Sequence, residues 1–276
     1  MRVLKGLFLA ALALCALTQS AMATMVTVSF QQGTGGYAGA KDTYVHEDAA
    51  TTNQGTNPKI ISDGDDDLGL GESQAQEVQG LIRFDNMFIS GGGASRIGGS
   101  LPDGATIVSA FLKLRTGTAT GDESPSPQIF NLHRMIATWD ETATWNSMTT
   151  SGVGIARDNI EAATAVTASA TGGNVAVLGG LVVFDVTADV QIWSSNNSLS
   201  TRGWLIHPDG VNLGGGTVSG QTNGWYVDSS NSATVANRPI LEVTYQMVPE
   251  PSAAVLGLIG VGIVGMFGRK LRRKAA

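Results

Sequence analysis

The segment Asp63-Gly64-Asp65-Asp66-Asp67-Leu68-Gly69 holds the residues whose types most directly suggest chemistry. Calcium is a hard ion that takes about six to eight oxygen ligands, and carboxylates on a glycine-containing loop supply them. Asp63, Asp65 and Asp67 have the alternate spacing with which a helix-loop-helix calcium loop offers its first three ligands. The pattern then breaks. Leu68 stands where such a loop needs glycine, and Gln74 where it needs a bidentate glutamate. A solvated acidic loop is the favoured expectation, with a structural Ca2+ site of divergent form as the alternative. In a sandwich fold Asp42 or Asp228 could add ligands from neighbouring loops.

Other constellations point away from catalysis. Asp140 and Glu141 lie between Trp139 and Trp145, two carboxylates framed by aromatics. Adjacent residues of a strand project to opposite faces, so on a strand they cannot form the facing acid/base pair of a glycosidase. His46, His133 and His207 are far apart and lack metal-ligand spacing; packing or surface roles are expected. No G-x-S-x-G nucleophile elbow and no phosphate-binding P-loop occurs. No catalytic residue is expected. Sugar binding needs exposed rings beside polar groups. Trp204, Trp225 and Tyr226 are the candidates, and in a strand at least one ring of the Trp225-Tyr226 pair faces out. Trp139, Trp145 and Trp193 are expected in the core, and packing of all five tryptophans is the competing expectation.

The elements that would position these residues are mostly strands. Residues 106–115 alternate, with Val108, Ala110, Leu112 and Leu114 on one face. Leu241, Val243 and Tyr245 alternate with Glu242, Thr244 and Gln246. Residues 80–85, 128–136, 181–186 and 203–207 also read as strands, separated by Gly- and Pro-rich turns at 91–102, 117–127 and 208–224. One short helix is expected after Thr187 as cap, with Val190 and Trp193 on one face. Residues 161–170, rich in both Ala and Thr, are ambiguous. The expected fold class is all-β: one antiparallel β-sandwich, jelly-roll-like.

Both ends of the chain read as addresses. Arg2 and Lys5, the apolar run 7–17 and the Ala21-Met22-Ala23 cleavage pattern make residues 1–23 an expected signal peptide. The only cysteine, Cys15, lies inside it, so the mature body has no disulfide, thiol nucleophile or thiolate metal ligand. At the other end, residues 252–267 carry no charge, and five cations follow. As a helix this run spans about 24 Å, short but sufficient for a transmembrane segment with its basic end cytoplasmic. Between the two addresses lies one domain, 24–247. It holds ten basic and 22 acidic side chains, a net charge of −12 where the whole chain has −6. Such a body repels nucleic acid and favours solubility outside the cell.

Residues 248–276 resemble a PEP-CTERM sorting signal: Pro249-Glu250-Pro251, an apolar span, then Arg269-Lys270-Leu271-Arg272-Arg273-Lys274. The resemblance implies export in a Gram-negative bacterium through the secretion machinery and transient membrane anchoring. An exosortase-type enzyme would then process the chain near Pro249-Glu250-Pro251, and the mature protein would reside at the surface with exopolysaccharide. The body resembles DNRLRE domains. The stretches that carry this are Asp42-Thr43-Tyr44, Leu81-Ile82-Arg83-Phe84-Asp85, Trp139-Asp140-Glu141-Thr142-Ala143-Thr144-Trp145-Asn146 and Arg238-Pro239-Ile240-Leu241-Glu242-Val243-Thr244-Tyr245. The hexapeptide naming the domain is absent, so the likeness is to the wider pattern. It implies a secreted β-sandwich, in some relatives a carbohydrate-binding module for acidic polysaccharide. At net −12 such a ligand needs a local basic patch or bridging Ca2+.

The expected function is an exported, non-catalytic surface or matrix protein associated with exopolysaccharide, with glycan binding through the aromatic candidates. The alternatives are a purely structural or adhesive matrix protein, and a polysaccharide-degrading enzyme.

Overall fold

The computed structural model describes residues 24–63, 77–89, 101–118, 129–148, 154–171, 177–196, 199, 202–208 and 224–247. The expected signal peptide, Asp65 and Asp67, and the whole sorting tail lie outside these residues. Two compact units are distinguished: Met1–Val26 with Gln246–Ala276, and Thr27–Tyr245. The described residues of the first, 24–26 and 246–247, are extended. The second carries the sandwich.

The strands are β1 (Thr24–Gln31), β2 (Ala40–His46), β3 (Lys59–Ser62), β4 (Val78–Phe84), β5 (Phe88–Ile89), β6 (Leu101–Pro102), β7 (Thr106–Arg115), β8 (Ile129–Met135), β9 (Ala162–Thr171), β10 (Leu181–Asp185), β11 (Trp204–Pro208), β12 (Trp225–Asp228) and β13 (Ile240–Met247). Among the described residues two helices join them, α1 (Trp145–Met148) and α2 (Thr187–Ser195), with a 3-10 turn at Val235–Asn237. A four-stranded sheet has the order β1-β13-β7-β10 and a five-stranded sheet the order β2-β4-β11-β8-β9. β3 and β12 form a separate antiparallel ribbon, and β5 and β6 pair in parallel. The described architecture is therefore all-β, with the antiparallel sheets of a sandwich.

Alternation buries one face of the four-stranded sheet. Leu241, Val243 and Tyr245 of β13 and Ala110, Leu112 and Leu114 of β7 are inside. Toward the start of β7 the phase slips: Ile107 is buried and Val108 exposed, the reverse of the sequence expectation.

The five-stranded sheet is buried on both faces. Register places Gly80 and Ile82 of β4 beside Ile206 and Trp204 of β11, facing the interior. Leu81 and Leu205 face the other way and join Val45, Trp139, Ala143, Trp145, Met148 and Ile155 in a second apolar cluster. Burial on both sides explains why Leu81-Ile82 and Leu205-Ile206 are uninterrupted apolar pairs rather than half-buried alternations.

Aromatic contacts tie the layers. Phe30 meets Tyr37 edge-on at 5.2 Å, and Tyr37 lies over Phe84. The β3-β12 ribbon inserts Trp225, which stacks on Phe130 of β8 at 4.1 Å and approaches Phe184 of β10 at 6.1 Å.

Helix α2 continues where β10 leaves off. β10 pairs with residues 111–115 of β7. Beyond that point the exposed ladder of β7 meets side chains one helical face apart: Thr187 Oγ1 accepts from Ala110 N (2.9 Å), Gln191 Oε1 from Ile107 N (2.7 Å), and Ser194 Oγ donates to Ala105 O (2.6 Å). These residues stand four and three apart, the spacing that aligns side chains along a helix. Thr187 is thus engaged with β7 rather than capping its own helix, contrary to expectation. The residue before the helix, Val186, makes no side-chain cap, and Asp185 Oδ1 accepts from Thr187 N instead (3.0 Å). Val190 and Trp193 are buried as expected.

Candidate functional site

The sugar-binding candidates are not displayed as expected. β11 is the central strand of the doubly covered sheet, so Trp204 has no solvent exposure; its ring packs on Trp193 at 4.6 Å and its Nε1 donates to Asp189 Oδ2 (2.8 Å). Trp225, 1% exposed, is the plug between the sheets. Tyr226 points the other way in β12 and is half-buried. The expectation of stacking faces on Trp204 and Trp225 is therefore corrected: a ring enclosed on both sides cannot stack on a sugar. Trp139, Trp145 and Trp193 are buried too, so all five tryptophans are interior.

The calcium candidates have separate partners. Asp63 is buried beside the ribbon, with backbone hydrogen bonds to Val78 in both directions. Asp228 Oδ1 accepts from Lys59 Nζ at 2.7 Å across the β3-β12 register pair. Asp42, buried in β2, accepts from Ser230 N at 2.7 Å. Burial pushes its carboxyl up to about 7, against the lowering effect of that N–H. Among the described residues no three His, Cys, Asp or Glu side chains converge to hold a metal.

Asp140 and Glu141 sit in a turn, not on a strand. Asp140 Oδ1 accepts from Thr142 N at 2.7 Å and from the Thr142 hydroxyl, and these bonds lower its pKa. Glu141 pairs with Lys41 at 2.8 Å. The two carboxylates thus serve different neighbours, one closing the turn and one holding it to β2. Arg83 reinforces the same segment: its guanidinium lies 4.8 Å from the Trp139 ring centroid, donates to Trp139 O and pairs with Asp85. Trp139 Nε1 donates to Arg202 O (2.6 Å). Residues 139–148 are a buttress for the outer sheet face.

Sequence spacing missed one cluster. His133 and His207 stand on the adjacent strands β8 and β11, their rings 6.4 Å apart. His207 Nε2 meets Glu77 Oε1 at 2.7 Å and its Nδ1 meets Arg157 Nη1 at 3.1 Å. Arginine can only donate, so Nδ1 accepts and the proton sits on Nε2, directed at Glu77. Gln79 Nε2 also donates to Glu77 Oε1 (2.7 Å), while Gln79 Oε1 accepts from Ile155 N (2.7 Å). The cluster fastens the loop through Ile155 and Arg157 to the sheet. Its signal was available only through strand register: His133 and His207 fall on the same face when β8 pairs with β11. His46 ends β2 opposite Val78, and its ring makes no hydrogen bond to this cluster among the described residues; burial lowers its pKa.

A chain of this kind, an acidic all-β body, gains its functional definition from its end. Residues 248–274 match the PEP-CTERM protein-sorting motif. The motif is a sorting signal recognised by exosortase, and it implies an exported protein held transiently at the membrane before release to the cell surface. The match covers the tail alone; no match to a DNRLRE domain accompanies it, so that resemblance of the body is not supported by the comparison. No curated protein matches the chain. Among the described residues no helix is long and apolar enough to cross a membrane, and residues 252–267 lie outside them.

Proposed function

We propose that the chain is a non-catalytic, structural component of the cell-surface matrix, retained among exopolysaccharide after exosortase processing. The observation that carries this reading is the sorting motif at residues 248–274, attached to an acidic body, 24–247, that contains no cysteine. The strand order supports a jelly roll. If β3, β5, β6 and β12 are set aside and β4 is treated as an insertion, the sheets read first-last-third-sixth and second-seventh-fourth-fifth, the order of two nested Greek keys. Supporting the structural over the lectin-like reading is the enclosure of all five tryptophans. Glycan contact, where made, uses Tyr226 and surface hydroxyls and is weak per copy.

Mass spectrometry of the surface-released protein tests the sorting half: a new C-terminus near Pro249-Glu250-Pro251 is expected, and its replacement by alanines leaves the chain in the membrane fraction. Co-sedimentation with the host's own polysaccharide, with and without Ca2+, tests the matrix half; loss of the protein to the supernatant in both conditions and on intact cells sinks it. Release of new reducing or unsaturated sugar ends would favour the enzymatic reading instead.

A further inference from the structure

β9 has one hydrogen-bonded neighbour among the described residues, β8; it is the outer strand of the five-stranded sheet, and part of its length lies beside β10, the outer strand of the other sheet. An outer strand directs alternate backbone N–H and C=O groups away from its neighbour, a template for a further strand. Proteins usually blunt such an edge with Lys, Glu or Pro. β9, Ala-Ala-Thr-Ala-Val-Thr-Ala-Ser-Ala-Thr, carries none of them. Its neutrality extends through 23 consecutive residues, 162–184, in a body of net charge −12.

The side chains and turns around β9 narrow the open portion. Asn159 Oδ1 accepts from Thr164 N and its Nδ2 donates to Thr164 Oγ1, which closes off the strand's first residues. Register irregularities against β8 fall at its residues Leu132–His133 and His133–Met135. Beyond them Ala168, Ser169, Ala170 and Thr171 pair regularly with Leu132, Asn131, Phe130 and Ile129. Thr167 and Ser169 donate to Asp189 and Asn131 of the same molecule. Val166 of β9 is 45% exposed, and nearby apolar groups are exposed on β8 (Ile129, 45%) and just before β9 (Ile160, 64%).

We propose that residues 165–171 of β9 form a strand-pairing edge at which two copies of this chain meet antiparallel, extending the five-stranded sheet across both molecules. Charge selects the occupant. Two bodies of net −12 repel wherever carboxylates face each other, and the neutral strand lets identical molecules approach without doing so. Antiparallel pairing of a strand with its own copy is two-fold symmetric, so one surface supplies both halves of the contact.

Sedimentation of the full chain, in one detergent throughout so that the apolar tail contributes equally, tests this. Wild type is expected to form dimers that strengthen as salt is raised, because salt screens the repulsion between bodies while leaving a neutral contact intact. Val166→Lys and Ala165→Lys, each at an exposed position, are expected to weaken association about tenfold or more, since like charges on facing strands repel. Unchanged thermal unfolding of both variants confirms that they fold. In a Cys15→Ser background, Ser169→Cys is expected to give an intermolecular disulfide and Val183→Cys on β10 to give none. A monomer at every concentration, dimers indifferent to the lysines, or equal cross-linking at both cysteines each overturns the proposal; capture of a different protein on β9 without self-association does so as well.

Discussion

β2 and β9 are the two outer strands of the same sheet, and the chain protects them by opposite means. β2 is covered. Ser230 N reaches Asp42, Asn57 Nδ2 reaches Tyr44 Oη (3.0 Å), and Glu141 reaches Lys41. Val45 is fully enclosed by the buttress at 139–148. β9 has register irregularities against β8 and the Asn159 turn, and Val166 remains in solvent. The lesson concerns cost: covering an edge requires burying a carboxyl group, as at Asp42, whereas β9 is left partly in solvent and needs its pairing controlled.

The comparison can be broken most severely at the buttress. Trp139→Ala removes the ring packed over the β2 side and deprives Arg83 of its stacking partner; a loss of about 3–5 kcal/mol is expected in denaturant unfolding. A matched substitution sharpens the contrast. Val45→Ala on β2 is expected to cost about 2 kcal/mol, and Val166→Ala on β9 under about 0.5 kcal/mol, by the same measurement. Equal costs would mean that β9 is as enclosed as β2.

Asp42 gives the covered edge a pH signature. Its folded carboxyl, at about 7, holds its proton where the unfolded chain, near 3.8, has lost it. The unfolded state binds fewer protons in that interval, so this group's contribution to stability falls as pH rises from about 4 to about 7. Asp85, also raised by burial, acts in the same direction. Asp42→Asn is expected to flatten the decline measured by thermal unfolding across that window, and a steeper decline in the variant would contradict the assignment. The smallest effect belongs to the Lys41–Glu141 pair, roughly one-third exposed on each side. Lys41→Met is expected to change stability by under about 1 kcal/mol, with most of the change lost at high salt.

Much of this arrangement was legible where one face of a strand meets water. β13, and β7 from Ala110 onward, follow their alternation; β8 and β10 fall within a residue of their expected bounds, and α2 forms where a short helix with Val190 and Trp193 on its inner face is expected. β2, β3 and β12 are harder to recognise: β3 and β12 have four residues each, and β2 hides Asp42 and Thr43 in a covered edge. β9 stayed ambiguous because alanine favours helix while threonine favours strand, and pairing with β8 decides between them. The aromatic candidates failed for a physical reason. Alternation tells which side chains share a face; it cannot tell that both faces are covered, or that a separate ribbon drives Trp225 between the sheets. The histidine cluster depends on register between strands some 70 residues apart, information no local pattern holds.

β13, the C-terminal strand of the sandwich, lies between β1 and β7 rather than at a margin. The four-stranded sheet therefore remains split until its last strand inserts. During synthesis the chain cannot complete this layer early, because the bridging strand follows nearly everything else. Contacts between sequence-distant strands form slowly as well, since the loop they close must first be ordered. For a protein that the sorting motif assigns to export, the topology means that the four-stranded layer closes only after the chain is available through its last sandwich strand.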